Sequence, residues 1–306
     1  DSIGDDVVEG ANAGTDTIKS YISYSLGANE EKLYLYGTAP IGKGNGLNNA
    51  IYGNDNANTI YGYSGNDILN GGKGNDYMAG GSGYDYYVVD NAGDVVAENA
   101  NAGIDTVSAY INYTLASNVE NLYLRGTVAN GTGNVLNNAI YGNNYANKIS
   151  GLGGNDILDG GSGKDTINGG NGNDILYGGA GNDTLNGGAG QDRFVFSESG
   201  SANWDNISYF SHADDTIILS DMIDGAPNAV IKGLSFTGGV LNAGSYSEGA
   251  GYTGNGAEES GIYNDTANGN IWYNPTSYVV GDSVLICTVG VSNATSLNNT
   301  DFAYSA

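Results

Sequence analysis

Aspartate recurs at positions 67, 76 and 85, and again at 156, 165, 174, 183 and 192, each nine residues after the last within its block. Each is followed two positions later by an apolar residue: Leu69, Met78, Tyr87, Leu158, Ile167, Leu176, Leu185 and Phe194. The nonapeptides that carry them, such as GGKGNDYMA (71–79) and GGSGKDTIN (160–168), join a glycine-rich half able to turn to a short half able to form a strand. Two such units close one coil, so aspartates eighteen residues apart stack on one edge at the inter-strand spacing of roughly 4.8 Å. At about 5 Å and an effective dielectric of about 20, neighbouring carboxylates repel by about 3 kcal/mol. A cation held between successive turns reverses that sign. Calcium suits the donors, because it takes six to eight oxygens and glycine-rich turns can aim backbone carbonyls inward, whereas magnesium demands a tighter octahedron and keeps its water.

The elements that position these residues repeat on a longer scale too. Sliding the chain along itself by 89 residues brings Asp1 onto Asp90, Asp16 onto Asp105, Leu33 onto Leu122 and Asp76 onto Asp165 without a gap. A match that starts at the first residue implies a chain that opens in mid-unit, as a fragment of a longer array. Each copy begins with an alternating stretch, TIKSYISYSL (17–26) or TVSAYINYTL (106–115), expected as a half-buried strand. In the Asn-rich segments that follow, Asn49, Asn58, Asn138 and Asn147 stand where aspartate would be, and Ile51, Ile60, Ile140 and Ile149 keep the apolar phase. These segments are expected to continue the coil as asparagine ladders, with Asp76 and Asp165 completing half-sites against Asn58 and Asn147. One further step of eighteen reaches Leu33 and Leu122, so the coil should extend there.

The pattern GGxGxD followed by x, an apolar residue and x resembles the RTX, or hemolysin-type, calcium-binding repeat. That resemblance implies calcium between turns eighteen residues apart, held by carboxylates and loop carbonyls. Carried over, it suggests Gly65 and Asp67 with Gly80, Ser82 and Asp85, and Gly154 and Asp156 with Gly169, Asn171 and Asp174. On the opposite edge it suggests Gly161, Gly163 and Asp165 with Gly178, Ala180 and Asp183, and a last site combines Gly170, Gly172 and Asp174 with Gly187, Ala189 and Asp192. The expected fold is all-β: a parallel β-roll solenoid with a C-terminal β-rich cap. Its divisions are 1–89, 90–195 with the longer repeat block at 151–195, and 196–306. At the boundary DRFVF (192–196), and in the last division DNIxxF and DDTIxLS, resemble the C-terminal region of serralysin-type exoproteins, which implies a cap with an uncleaved type I secretion signal.

Composition narrows the function classes. With 34 acidic residues against 9 Lys plus Arg, a net charge of -25 disfavours nucleic acid and anionic membranes as partners and favours cations. The 52 glycines point to dense turns, while 40% hydrophobic residues, with 24 tyrosines, are too many for a disordered chain. A single cysteine, Cys287 in the apolar run VLICTV, cannot build a disulfide framework or a thiolate zinc site. No run reaches transmembrane length, and no signal peptide opens the sequence, so export would use another signal. HExxH and a GxSxG elbow are absent, His212 reads as a capping or turn residue, and Asp205, Asp214 and Asp215 read as turn caps, calcium ligands or, the favoured reading, solvated turns.

The expected function is therefore non-enzymatic: a secreted region that folds on meeting extracellular calcium. The alternatives are a calcium-dependent adhesin, surface-layer or glycan-binding module that binds polysaccharide or copies of itself, and the tail of a secreted enzyme whose catalytic domain lies upstream.

Overall fold

A computed structural model describes residues 10, 14–197, 203–211 and 213–220, and then the segments 236–237, 240–241, 246–249, 261–265, 267, 270–274, 284–289, 297–298 and 301–305. His212 lies outside the described residues. Among the described residues there is no α-helix, and no helix long and apolar enough to cross a membrane. The chain divides into two compact units, 1–139 and 140–306.

The first unit is a parallel β-roll. Along one face run Thr17–Ser20, Lys32–Leu35, Ala50–Tyr52, Ile68–Asn70, Tyr86–Val89, Thr106–Ala109 and Asn121–Leu124, each parallel to the next. The alternate strands Tyr24–Ser25, Ile41–Lys43, Thr59–Ser64, Tyr77–Ser82 and Val95–Val96 form the opposite face, also parallel. Because coils advance by eighteen residues, Leu33, Ile51, Leu69 and Tyr87 fall in register and line one side of a narrow core, with Ile60 and Met78 in register on the other. The register then carries Tyr87 onto Val107 and Val107 onto Leu122, so the roll includes Leu33 and Leu122 as expected.

The alternating stretch 17–26 is not one strand. Thr17–Ser20 and Tyr24–Ser25 lie on opposite faces, and a corner between them exposes Tyr21 and is fastened by the Ser20 hydroxyl, which donates to the Ile22 carbonyl at 2.8 Å. Alternation of side chains runs through a sharp corner as well as through a straight strand, so periodicity alone does not mark the break.

The second unit repeats the architecture. Ile157–Gly161, Ile175–Tyr177, Arg193–Phe196 and Thr216–Ser220 follow one another on one face, and Lys148–Gly153, Thr166–Asn171, Thr184–Ala189 and Asp205–Tyr209 on the other. Parallel coiling thus runs on beyond Phe194, where the strict period stops. Phe302–Ser305 and Val284–Val289 extend the two faces in parallel, and antiparallel strands such as Asn270–Asn274 then complete the β-rich end. Cys287 is fully buried in Val284–Val289, as its apolar surroundings suggest. All eight apolar residues that trail the aspartates are at most 1% exposed, so the strand half of each nonapeptide anchors its turn.

Candidate metal centre

Seven of the eight repeat aspartates are each locked by a rung. The backbone N–H of the residue one coil earlier donates to its Oδ1: Asn49 to Asp67 and Asn58 to Asp76 at 2.7 Å, Asp67 to Asp85 at 2.8 Å. In the second unit Asn147 donates to Asp165 at 2.7 Å, Asp156 to Asp174 at 2.8 Å, Asp165 to Asp183 at 2.7 Å and Asp174 to Asp192 at 3.0 Å. These bonds fix the carboxylates on the roll's edges at the coil spacing.

The second oxygen is the chemically open one. Oδ2 of Asp67, Asp76, Asp85, Asp165, Asp174 and Asp192 is buried and accepts no hydrogen bond from any described residue. An ionised carboxylate stripped of water and left without a partner is costly, and the protein responds by holding the proton more tightly. Burial, opposed by the rung from Asn49 and reinforced by Asp85, pushes Asp67 up to about 7. Asp165 rises to about 7 and Asp76 to about 6, burial again being the main cause. Asp85, Asp174 and Asp192 are raised for the same reason.

What faces these oxygens is a glycine and a carbonyl. A Cβ placed on Gly62 would lie 2.1 Å from Asp67 Oδ2 and 2.7 Å from the carbonyl oxygen of Gly80 on the next coil. The same convergence recurs at Gly151, with Asp156 Oδ2 at 2.1 Å and Gly169 O at 2.7 Å, and at Gly160, with Asp165 Oδ2 at 2.4 Å and Gly178 O at 2.5 Å. At Gly169 the neighbours are Asp174 Oδ2 at 2.2 Å and Gly187 O at 2.4 Å. At Gly62, Gly151, Gly160 and Gly169 the first glycine of the nonapeptide is therefore a floor on which a carboxylate from one coil and a carbonyl from the next converge. Two hard oxygens, neither a proton donor, meeting in a water-poor niche is a donor set that fits calcium.

These four niches bring together Asp67 with Gly80, Asp156 with Gly169, Asp165 with Gly178, and Asp174 with Gly187, two members from each of the larger sets suggested from sequence. The other suggested residues sit in the turns. The carbonyls of Gly65, Gly154, Gly163, Gly170 and Gly172 abut the glycines one coil on. Those of Ser82, Ala180 and Ala189 accept the N–H groups of Gly65, Gly163 and Gly172, and Gly161 O accepts that of Ala180. Asn171 pairs in register with Gly153. Asn58 and Asn147 give Asp76 and Asp165 a backbone N–H, while their side-chain oxygens accept the N–H of Asn54 and Asn143, so the half-sites take the form of rungs.

Four ladder aspartates lie outside the nonapeptide blocks, Asp94 still in period and the other three out of it. Asp94 accepts from Asp76, Asp105 from Asp85, Asp205 from Asp183 and Asp215 from Asp192, at separations of 18, 20, 22 and 23 residues. Asp205 and Asp215 are thus buried rungs and not solvated turns, and burial raises Asp215 to about 6; Asp214 is exposed. The signal that would have found them is the triplet Asp-x-apolar, in DVV, DTV, DNI and DTI, followed without a fixed spacing.

A family model of the RTX calcium-binding nonapeptide repeat, in 4 copies, matches residues 44–87, 132–167 and 159–194. No curated protein matches the chain. Among solved structures, the solution structure of a subunit of the Azotobacter vinelandii mannuronan C5-epimerase is similar at 22% identity, covering 55% of this chain and 78% of that one, with a TM-score of 0.23.

Proposed function

We propose that this chain, which matches the RTX calcium-binding nonapeptide repeat over residues 44–87, 132–167 and 159–194, is the calcium-gated structural region of a secreted protein, folding fully once outside the cell. The observation that carries the reading is the row of buried aspartate Oδ2 atoms, each on a glycine floor and without a hydrogen bond from the described residues at Asp67, Asp76, Asp85, Asp165, Asp174 and Asp192. At neutral pH and low free calcium these carboxylates oppose the roll through desolvation and mutual repulsion. Calcium, when bound, would supply the counter-charge and a link between coils. The residues that would hold it are the four aspartate and glycine-carbonyl pairs, supplemented by the turn carbonyls around them. Anything that binds only the folded form stabilises it by RT ln(1 + [L]/Kd), and neighbouring sites cooperate because each coil is shared.

The serralysin-like signals after Phe194 support a type I secretion signal in 196–306, with that machinery as the export partner. The divisions 1–89, 90–195 and 196–306 are proposed as sequence modules of this array. The far-ultraviolet circular dichroism of the metal-stripped chain tests the gating: a cooperative, calcium-specific gain of β signal that magnesium does not reproduce is expected, and an unchanged, already folded spectrum contradicts it.

Exposed aromatics on the first unit favour a second role, as a binding face for polysaccharide or copies of the chain. Tyr21 and Tyr36 are exposed with ring centroids 5.5 Å apart, and Tyr63 and Tyr77 flank Tyr61. Glycan titration and sedimentation in calcium test it, with unaltered tyrosine fluorescence and a monomer throughout as the contrary result.

A further inference from the structure

The first nonapeptide block ends on a carboxylate cluster that the repeat pattern does not contain. Ligand oxygens of Asp85, Glu98 and Asp105 all lie within 4.8 Å of one another. Asp85 and Asp105 are 1% and 0% exposed, and the Oδ2 of each accepts no hydrogen bond from any described residue. Their Oδ1 atoms are committed to rungs, from Asp67 at 2.8 Å and from Asp85 at 2.8 Å.

Glu98 occupies a telling place. In the preceding coil the carbonyl of Gly80 faces Asp67 across Gly62; one coil later Asp85 Oδ2 lies over Gly80, and the residue eighteen beyond Gly80 is Glu98. Its carbonyl is taken by the Asn118 side-chain amide at 3.0 Å, and its carboxylate reaches Asp85 and Asp105 instead. The fully buried Tyr87 orients it: the phenol accepts the Gly80 N–H at 2.6 Å and donates its own proton to Glu98 Oε1.

We propose that Asp85, Glu98 and Asp105 form a calcium site of their own, closing the first block with a glutamate carboxylate where an ordinary coil presents a glycine carbonyl. It shares the oxygen-donor logic of the proposed function but depends on residues outside the nonapeptides. Three carboxylates give it more charge than the repeat niches, and affinity in oxygen-donor sites rises with ligand charge and rigidity, so it fills first.

The test uses the full, metal-stripped chain, titrated with calcium by calorimetry and with Tb3+ under tyrosine excitation. Glu98→Gln and Asp105→Asn, the latter keeping the rung oxygen, each remove the tightest calcium equivalent or weaken it at least tenfold, while the later equivalents persist. Tyr87→Phe, which releases the Glu98 carboxylate, weakens the first calcium equivalent and at least halves the emission of the first Tb3+ equivalent. Parent-like isotherms in both carboxylate variants overturn the site and leave the repeat reading standing. A parent that binds one ion, lost in Glu98→Gln, upholds the site and sinks the repeat reading; a parent that binds none overturns both. Should the carboxylate variants not fold, undiminished first-equivalent emission from Tyr87→Phe overturns the proposal.

Discussion

The asparagine coils and the aspartate coils share strands, spacing and apolar phase, and differ at the edge by one atom. In the asparagine coils that atom is a donor: Asn49 Nδ2 donates to Glu30 O at 3.1 Å, Asn58 Nδ2 to Ala39 O at 2.8 Å, and Asn138 Nδ2 to Val119 O at 3.2 Å. The side-chain oxygens of Asn49, Asn58 and Asn138 accept the N–H four residues back, from Asn45, Asn54 and Asn134. The amide thus closes its coil against the one before. In both coil types a side-chain oxygen meets a glycine carbonyl of the next coil over a glycine, Asn49 Oδ1 with Gly62 O at Gly44 and Asp67 Oδ2 with Gly80 O at Gly62. The asparagine oxygen has an N–H in hand there, whereas Asp67 Oδ2 accepts none from the described residues, and its Oδ1 accepts a rung where the asparagine carries its donor. One coil is complete as protein, and the other is complete with a cation.

The largest effect should come from filling a niche. Gly62→Ala would force a methyl to 2.1 Å from Asp67 Oδ2 and 2.7 Å from Gly80 O; about 3 kcal/mol of stability in calcium should go, read from denaturant unfolding, together with one calcium equivalent. Next, Asp165→Asn converts a charged coil to the amide type. Without calcium it should stabilise the chain at pH 7 by on the order of 3 kcal/mol, the cost of ionising a carboxyl raised from 3.8 to about 7, and in saturating calcium it should destabilise. The two unfolding midpoints must move in opposite directions for the comparison to stand.

Acid should act in the same sense on the metal-free chain. Asp67, Asp105 and Asp165 have folded-state values raised from 3.8 to about 7, so the folded form binds protons more tightly than the unfolded one. Their contribution is fully present below about 3.8 and is lost as pH rises through about 7. Thermal unfolding in chelator should therefore show a higher midpoint at pH 5 than at pH 7.5, and the trend should flatten in calcium. The smallest effect is local: Leu152 holds φ +78 where the other nonapeptides of its block have glycine, and it is 47% exposed, so Leu152→Gly should stabilise by about 1 kcal/mol in denaturant unfolding.

The core and the main ladders were legible because each nonapeptide encodes its own turn, rung and anchor within nine residues. Asp67 and Leu69, or Asp165 and Ile167, carry that pattern whatever surrounds them. The rungs at Asp105, Asp205 and Asp215 were harder, since their turns take two to five extra residues that slide the aspartate out of period, while the strands after Asp105 and Asp215 keep their register. The corner inside 17–26 was hidden because alternation carries no sign of direction. Glu98 was invisible for another reason: its role depends on Tyr87 and Asp105, which stand 11 and 7 residues away and meet it only once the coil closes.

The measurement that reaches the difference between the two coil types most directly is residue-resolved amide hydrogen exchange with and without calcium. The N–H groups of Asp67, Asp156, Asp165 and Asp174 donate to aspartate rungs, whereas those of Asn45, Asn54 and Asn134 donate to asparagine side chains of their own coil. Removal of calcium should cost the first group at least a hundredfold in protection and the second group markedly less. Equal losses in both groups, or none in the first, would contradict the claim that the aspartate coils alone are finished by the metal.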